Sequence, residues 1–446
     1  MKTSRMLFKV LTVILLVIIL LFPALLVQNL VNEREMLQQS ARNEVSSQWG
    51  AQQTISGPFI TIPCDKILQR TKMGDGRINV KKERFYLHIM PEELNMTGDI
   101  DPQQRNRGIY EAVVYSSKIN IDGFFTAPNL GQVDTANTEI HYDQAVLNVG
   151  LSDLKGIDEQ IELQWNKNTS RFEQGVRTQQ IVNSGLQAAV NFDKAIAEQH
   201  FSFQLDLKGS ERLFFVPVGK TSQLTLNSPW ADPGFTGNFL PDERQVSDDG
   251  FTAKWKILHL NRHFPQQWKG GEFNFYGSSF GVDLLMPVDN YTKAHRVTRY
   301  AILFIACTFL VFFFVEVIKG IHVHPIQYLL VGISLVVFYV LLLSLSEYVL
   351  FNIAYIVSAL MTLILIAFYT RAVLKSLRLA ALTTGVLVVL YGFIFTIIQM
   401  EHYSLLIGSL GVFTVLAVVM GLSRGIDWYE LSASPPESKQ EEREQV

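Results

Sequence analysis

The chain has 446 residues, of which 48% are hydrophobic and only 18% are charged, whereas about a quarter of a soluble domain is charged. Its 38 lysines and arginines nearly balance 41 aspartates and glutamates, and the net charge of −3 excludes a strongly basic nucleic-acid-binding protein and an extended acidic disordered chain. The composition therefore indicates an integral membrane protein that carries a large polar domain.

The first predicted element is a membrane span at residues 10–27, an apolar run interrupted only by Thr12 and Pro23. A helix of this length rises about 27 Å, which just crosses the hydrocarbon core. A secretory signal peptide is the alternative, because a basic leader (Lys2, Arg5 and Lys9) precedes the run. The run is long for a signal core, however, and residues 25–28 offer no small-residue cleavage site. We therefore predict an uncleaved anchor at residues 1–27.

A juxtamembrane helix is predicted at residues 28–50. Apolar residues recur there at helical spacing, and polar residues fill the other face. The recurring residues are Leu30, Leu37, Ala41, Val45 and Trp49.

The segment 51–299 shows a period of two in place of the helical period. Residues 201–207, for example, alternate Phe, Phe, Leu and Leu with polar partners, and residues 251–257 repeat the pattern. Such alternation, bounded by Gly, Asn, Asp and Pro, indicates half-buried antiparallel strands. We predict a β-rich, sandwich-like domain of two unequal sheets. The Ala-rich run 185–199 is predicted to be its one internal helix.

Five further spans are predicted between residues 300 and 422, separated by short hinges. Five such runs in succession leave no polar face for a soluble surface, which excludes buried helices of a soluble core. A tail at residues 423–446 follows, and its last segment, Ser432–Val446, is Pro- and Glu-rich and predicted to be disordered. The predicted spans are Tyr300–Ile318, Tyr328–Ser346, Leu350–Tyr369, Leu379–Ile398 and Leu405–Leu422.

The fold class is therefore an α+β membrane protein with six transmembrane helices. A large β-rich extracytoplasmic domain is inserted between helix 1 and helices 2–6. Its orientation follows from the rule that basic loops stay in the cytoplasm. With the N-terminus inside, residues 28–299 and the two hinges without a cation, at Glu347 and residues 399–403, lie outside. Both chain ends then lie in the cytoplasm, together with Lys2, Arg5, Lys9, Lys319, Arg371, Lys375, Arg378 and Arg424.

One short motif suggests hydrolase chemistry. Residues 277–281 fit the G-x-S-x-G pattern with Ser279 as nucleophile, and Asp283, Asp289 and His295 follow in order. A nucleophile elbow needs a helix after the serine, whereas residues 282–287 read as a strand that ends at a proline. We therefore interpret Ser279 as an ordinary strand or turn residue.

Metal and nucleotide chemistry finds little support in the sequence. The pairs His259 with His263 and His322 with His324 have no carboxylate or thiolate ligand at a useful spacing, so we interpret them as surface or interfacial histidines. The two cysteines, Cys64 and Cys307, are expected to be free thiols. No Walker loop or dinucleotide fingerprint is present. We expect no catalytic residue, no metal ligand and no cofactor.

Three acidic residues lie near predicted span ends: Glu316, Glu347 and Glu401. An ionisable group within the hydrocarbon indicates function by default, but we expect these three to reach headgroup water. Glu347 is expected at the outer surface of the helix bundle, and Glu401 and His402 are expected at the same level. We predict that Glu347, Glu401 and His402 form a polar patch against which the outer domain docks, and that Ser344 and Ser346 hydrogen-bond across helices.

Several short segments, taken together and in order, are typical of one family. They are Asn32–Arg34, Trp49–Gln53, Gly57–Pro63, Phe235–Pro241, Gly250–Trp255, His324–Gly332, Phe338–Glu347 and Asp427–Tyr429. On these segments the chain resembles the CreD family of bacterial inner-membrane proteins along nearly its whole length. One departure is the run Glu401–Leu406, which reads Glu-His-Tyr-Ser-Leu-Leu where the family usually has an acidic residue followed by Asp-Tyr-Ala-Leu-Leu. Family-motif positions of unassigned role are Trp49, Gly57, Pro58, Pro63, Trp255, His324, Pro325, Tyr339, Ser344, Ser346, Asp427 and Trp428.

The resemblance implies an inner-membrane protein linked to cell-envelope integrity and tolerance of envelope stress, and it supplies no catalytic mechanism. We interpret the chain as non-enzymatic, with a periplasmic domain that engages an unidentified envelope component or membrane protein. The alternative is a small transporter or flippase for a lipid-like or peptidoglycan-derived substrate, which paired broken helices or midplane charges would favour. Neither occurs in the sequence. The expected partners include the lipid bilayer but no nucleic acid, and the oligomeric state is left open.

Overall fold

The computed structural model describes residues 2–72, 78–132, 136–193, 195–271, 273–284, 290–400 and 403–424. The chain forms two compact units. The membrane unit comprises residues 1–37 and 288–446, and the β unit comprises residues 38–287.

Among the described residues, six helices are long and apolar enough to cross a membrane, which confirms the predicted count. The first continues past its apolar part without a break, so the predicted span and juxtamembrane helix are one element. A short amphipathic helix, not predicted from the sequence, precedes the second candidate span. The helices are α1 (Lys2–Trp49), α2 (Asn290–Arg299), α3 (Ala301–Lys319), α4 (Pro325–Ser346), α5 (Phe351–Leu374), α6 (Leu377–Gln399) and α7 (Ser404–Arg424).

The β unit contains the strands that the alternating pattern predicts. In chain order they are β1 (Gln53–Lys72), β2 (Ile78–Ile89), β3 (Glu93–Arg107), β4 (Tyr110–Thr126), β5 (Thr138–Ile140), β6 (Val146–Leu151), β7 (Glu162–Trp165), β8 (Asn168–Arg171), β9 (Glu173–Gln174), β10 (Gly185–Ala189), β11 (Glu198–Ser210), β12 (Arg212–Val216), β13 (Thr221–Ser228), β14 (Pro233–Gly237), β15 (Glu243–Ser247), β16 (Gly250–Leu258), β17 (Gln267–Lys269) and β18 (Phe280–Leu284).

These strands form two sheets of unequal size. The larger has the order β14-β18-β12-β1-β6-β10-β9, with β2 and β5 also paired to β1 and with β17 paired to β2. The smaller has the order β15-β16-β13-β3-β4-β11-β7-β8. Most neighbours are antiparallel, and the pairs β1/β12 and β3/β13 are parallel. The long β1 is the organising strand of its sheet, because four other strands hydrogen-bond to it.

One hydrophobic core joins the two sheets. It takes Phe59 and Leu147 from the larger sheet and Met96 and Ile119 from the smaller one, all at most 2% exposed. In β11 every second residue is buried and its neighbours face solvent, as the alternation predicts. At about 25 cal/mol per Å² of apolar surface, this burial is the main term that stabilises the sandwich.

The predicted internal helix at residues 185–199 is wrong. Residues 185–189 form β10, and β11 begins at residue 198. Leu186, Ala188 and Val190 are all buried, at a period of two. Alanine favours a helix in isolation, but pairing of β10 with β6 overrides that weak preference.

Candidate functional site

The most completely satisfied charged group of the membrane unit is Glu316, near the C-terminal end of α3. Its side chain is only 4% exposed. One carboxylate oxygen accepts from Lys9 of α1 and from the backbone N–H of Val323 (2.8 Å). The other accepts from the hydroxyl of Tyr328 in α4 (2.9 Å). A single carboxylate therefore joins α1, α3, α4 and the loop between the last two.

Local structure explains this arrangement. Helix α3 ends at Gly320, which adopts a left-handed conformation and turns the chain back toward Glu316. His324 then caps α4: its Nδ1 accepts from the Ile326 N–H, and Gln327 Oε1 accepts from the His324 N–H at 3.0 Å. The expectation that Glu316 reaches headgroup water is wrong. Lys9, the Val323 N–H and the Tyr328 hydroxyl donate to its carboxylate, which is buried within the helix bundle.

A second charged group lies at the opposite end of α4. Glu347 is 10% exposed at its side chain, 3.6 Å from Arg34 Nε, and accepts from the Tyr291 hydroxyl at 3.4 Å. The Asn290 side chain donates to the backbone carbonyl of Ser346 at 2.8 Å. Helices α1, α2 and α4 therefore meet at this point.

The predicted serine contacts differ from those in the structure. The Ser346 hydroxyl donates to Leu343 O in its own helix at 2.9 Å, and Ser344 is exposed. Glu401 and His402 lie outside the described residues, so the patch that they form with Glu347 stays a prediction.

We expect Glu347→Gln to weaken function without preventing membrane insertion, because an interfacial carboxylate costs little to insert. Loss of the charge leaves Arg34 without this partner and so loosens the junction of α1 and α4. Complementation and membrane fractionation measure the two effects. Cysteines at positions 347 and 402 should cross-link with a short reagent. Full activity of the variant together with no cross-link would reduce these residues to ordinary polar groups at span ends.

The centre of the helix bundle is filled by aromatic rings. Tyr391 of α6 contacts Phe304 of α3 and Phe338 of α4 at centroid distances of 4.5 and 4.9 Å. Tyr355 of α5 packs on Phe338 at 5.5 Å, and its hydroxyl donates to Tyr391 O at 2.8 Å. Four helices thus share one close-packed layer.

The G-x-S-x-G segment of the β unit does not form a nucleophile elbow. Ser279 lies between a single helical turn and β18, and its hydroxyl donates to Tyr276 O at 2.9 Å. Asp283 is held by Arg212 (2.5 Å) and Thr236 (2.7 Å). His295 belongs to α2 in the membrane unit, and Asp289 lies outside the described residues. Ser279 thus lies in a turn before β18, and its lack of nucleophilic activity stays a prediction.

We therefore expect Ser279→Ala to leave any envelope phenotype nearly intact, with a stability change under about 0.5 kcal/mol. A fluorophosphonate probe should not label the wild-type chain. Labelling that disappears in the variant would instead establish a nucleophile.

One cluster of potential metal ligands was missed by the sequence analysis. Asp65 of β1, Glu139 of β5 and His141 offer ligand atoms within 4.8 Å of one another. Arg84 of β2 donates to both oxygens of Asp65, at 2.8 and 2.9 Å, and holds the pKa of that carboxyl well below its usual range. Lys82 pairs with Glu139 at 2.6 Å. In the structure these carboxylates are engaged in ion pairs, and the network ties β1, β2 and β5 together.

The histidine and cysteine predictions can be compared with the structure. Neither His259 with His263 nor His322 with His324 belongs to a group of three potential ligands among the described residues. Both cysteines are buried free thiols, as predicted. Burial raises the pKa of the Cys64 thiol to about 11, so it stays protonated and unreactive at neutral pH.

A groove of about 580 Å³, lined by both polar and apolar side chains, runs beside the edge strand β15. Its lining includes Asp99, Asn227, Gln245 and Thr252. Asn227 donates to Asp99 and accepts from Thr252, each at 3.0 Å, which fixes the three side chains. All five residues of β15 are exposed, and this strand ends the order of its sheet. Edge strands present free backbone N–H and C=O groups to a partner.

The comparisons with known proteins identify a family of inner-membrane proteins, in agreement with the candidate membrane spans. The family model described as inner membrane protein CreD matches residues 5–429. The protein of that name from Escherichia coli (strain K12) is 31% identical over 419 residues, which cover 93% of this chain and 92% of that protein. The chain belongs to the CreD family.

Two CreD-family segments pack against each other in the β unit. Trp255 is 2% exposed, its ring lies 5.8 Å from that of Phe235, and its indole N–H donates to Phe239 O at 3.2 Å. Asn238 of the same segment donates to Gly277 O. The G-x-S-x-G segment therefore contacts the Phe235–Pro241 segment. This contact gives the G-x-S-x-G segment a structural role.

The other CreD-family positions that the structure describes lie in β1, at helix ends and inside α4. Trp49 ends α1, and its indole N–H donates to Tyr115 O at 3.1 Å. Gly57 has φ +140°, and a Cβ there would lie 2.9 Å from Asn148 O. The peptide bond between Gly57 and Pro58 is cis. The carbonyl oxygen of Pro63 accepts a hydrogen bond from the His141 N–H. Pro325 is the first residue of α4. Tyr339 is buried in the bundle. Asp427 and Trp428 lie outside the described residues.

Proposed function

We propose that this chain is a non-enzymatic inner-membrane protein that contributes to cell-envelope integrity or envelope-stress tolerance. In this proposal the β unit faces the periplasm and engages an envelope component, and the helix bundle anchors it. Membership of a family of inner-membrane proteins supports the location.

The packing of the bundle carries the proposal. Its centre is a layer of aromatic rings from α3 to α6, and the buried carboxylate Glu316 is paired near one end. The described spans α3 to α7 contain no proline beyond the first residue of α4, and each runs as one continuous helix. Paired broken helices or midplane charges would favour a transporter. The bundle as described is suited to anchoring.

In this proposal, the groove beside β15 is the surface of the β unit that binds the envelope component. Its carboxylate, amide and hydroxyl groups can hydrogen-bond to a hydroxyl- or amide-rich envelope polymer or protein. The adjacent edge strand can also add a backbone segment of a partner to the sheet.

The proposed orientation predicts a topology that fusions can measure. Alkaline phosphatase is active only outside the cytoplasm, so a fusion after Asp289 should be active and a fusion after Lys375 inactive. The reason is that Arg371, Lys375 and Arg378 hold their hinge in the cytoplasm. The reverse pattern, or activity at both sites, would contradict the orientation and with it the periplasmic role of the β unit.

A further inference from the structure

An apolar cavity opens between α3, α6 and α7 of the membrane unit. Its volume is about 430 Å³, within the range of about 300–1,000 Å³ that is typical of ligand pockets. Aliphatic and aromatic side chains line nearly all of it, and Lys319 lies at one end.

Helix α7 lies close to α6 at Gly411 and borders the cavity further along. In the first half, Gly411 lies directly against the ring of Phe393 in α6, and a Cβ there would come within 2.1 Å of that ring. In the second half, Val418 and Leu422 line the cavity and remain 54% and 44% exposed. The two helices are close at Gly411 and leave a space beyond it.

Three cations lie at one end of the helices that form this cavity, and one of them, Lys319, also lines it. Lys319 ends α3, Arg378 lies in the first turn of α6, and Arg424 ends α7. Successive spans alternate in direction, so these positions fall at the same end of the bundle. All three side chains are exposed, and among the described residues none of them pairs with a carboxylate.

A neighbouring groove provides a contrast. It lies between α1 and α3, has a volume of about 380 Å³, and is lined by apolar residues such as Val13, Val17 and Phe313. The cation nearest to it in sequence, Lys9, is paired with Glu316. That groove offers room for a lipid chain, but the described cation next to it in sequence is already paired with a carboxylate.

We infer that the cavity between α3, α6 and α7 binds an acyl chain of an anionic phospholipid, whose headgroup phosphate is held by Lys319, Arg378 and Arg424. The leaflet concerned is the cytoplasmic one in the orientation proposed above. An acyl chain gains little by leaving the bilayer for an equally apolar cavity, so selectivity must come from the headgroup. Each cation near an anionic headgroup contributes about fivefold in affinity.

Native mass spectrometry of the full chain tests the inference. The protein is released from nanodiscs that contain equal amounts of dioleoyl phosphatidylglycerol and dioleoyl phosphatidylcholine. We expect the wild type to retain one phosphatidylglycerol molecule in preference to phosphatidylcholine. The double variant Lys319→Gln/Arg378→Gln should lower that retention by about 25-fold, which is about fivefold per cation. Val418→Trp, which fills the cavity, should lower it as well.

Arg371→Gln is the matched control, because Arg371 is an exposed cation in the last turn of α5, which does not line the cavity. Its retention should equal that of the wild type. Equal retention of the two lipids by the wild type, or the same loss in Arg371→Gln as in the double variant, would overturn the inference. The charge variants lie at exposed helix ends, so they stay informative even if Val418→Trp fails to fold.

Discussion

Glu316→Ala is expected to destabilise the membrane unit by about 3 kcal/mol, the lower end of the range for breaking a buried ion pair. The substitution removes the acceptor of Lys9, of the Val323 N–H and of the Tyr328 hydroxyl in one step. Lys9 is 31% exposed at its side chain and can turn toward the headgroups, which is why the higher end of the range is not expected. Unfolding of the full chain in nanodiscs measures the effect.

A double variant separates charge pairing from packing. Lys9→Met with Glu316→Leu removes both charges, so most of the lost stability should return. Glu347→Gln is a suitable comparison at the other end of α4, and its effect should be smaller because its pairing distance is 3.6 Å. A change below about 0.5 kcal/mol for Glu316→Ala would contradict a structural role for this carboxylate.

Acidification is expected to weaken the β unit through His88. This ring is fully buried, lies 3.1 Å from Thr61 Oγ1 through Nδ1, and packs near Trp268. Burial lowers its pKa to about 4, whereas an unfolded histidine has a pKa of about 6.5. Between these values the unfolded state binds more protons. The stability is therefore fully present above about pH 6.5, and about 3 kcal/mol of it is lost as the pH falls through 4.

Tryptophan fluorescence, to which Trp268 beside His88 contributes, reports this loss. Thermal unfolding of the full chain should shift to lower temperature between pH 6.5 and 4. His88→Gln keeps a polar side chain at this position but does not titrate, so its unfolding should vary less over that interval. Asp65 contributes separately and only at lower pH, because Arg84 lowers the pKa of its carboxyl. Equal pH dependence in the variant and the wild type would contradict the assignment to His88.

The spans and most strands could be predicted because their cause is local. An apolar run of 18 or more residues has no stable place except a bilayer, and alternation such as that in β11 has one buried face. The prediction of a helix at 185–199 was wrong because the helix preference of alanine is weak. Backbone pairing of β10 with β6 outweighs that preference. Helix α2 was missed because residues 290–299 are mostly polar, so no apolar run marks them.

The pairings of charged residues could be predicted only in part. Lys9 was used to assign orientation, and Glu316 was recognised as acidic near a span end. Because α1 and α3 run in opposite directions with these residues at the same end, an ion pair between them was a possible inference. Tertiary packing determines which helices are neighbours. No local pattern in the sequence reveals these neighbours. The same holds for Arg34 with Glu347 and for the strand order that forms the groove beside β15.

The proposed engagement of an envelope component is tested most directly by photo-cross-linking in living cells. A photoreactive amino acid replaces Gln245, an exposed residue of β15 that lines the groove, in the full chain. The control position is Lys167, an exposed residue between β7 and β8 at the opposite edge of the same sheet. We predict a discrete adduct from position 245, absent from position 167, that contains an envelope polymer or a periplasmic or membrane protein. Adducts at neither position, or the same adducts at both, would contradict the account.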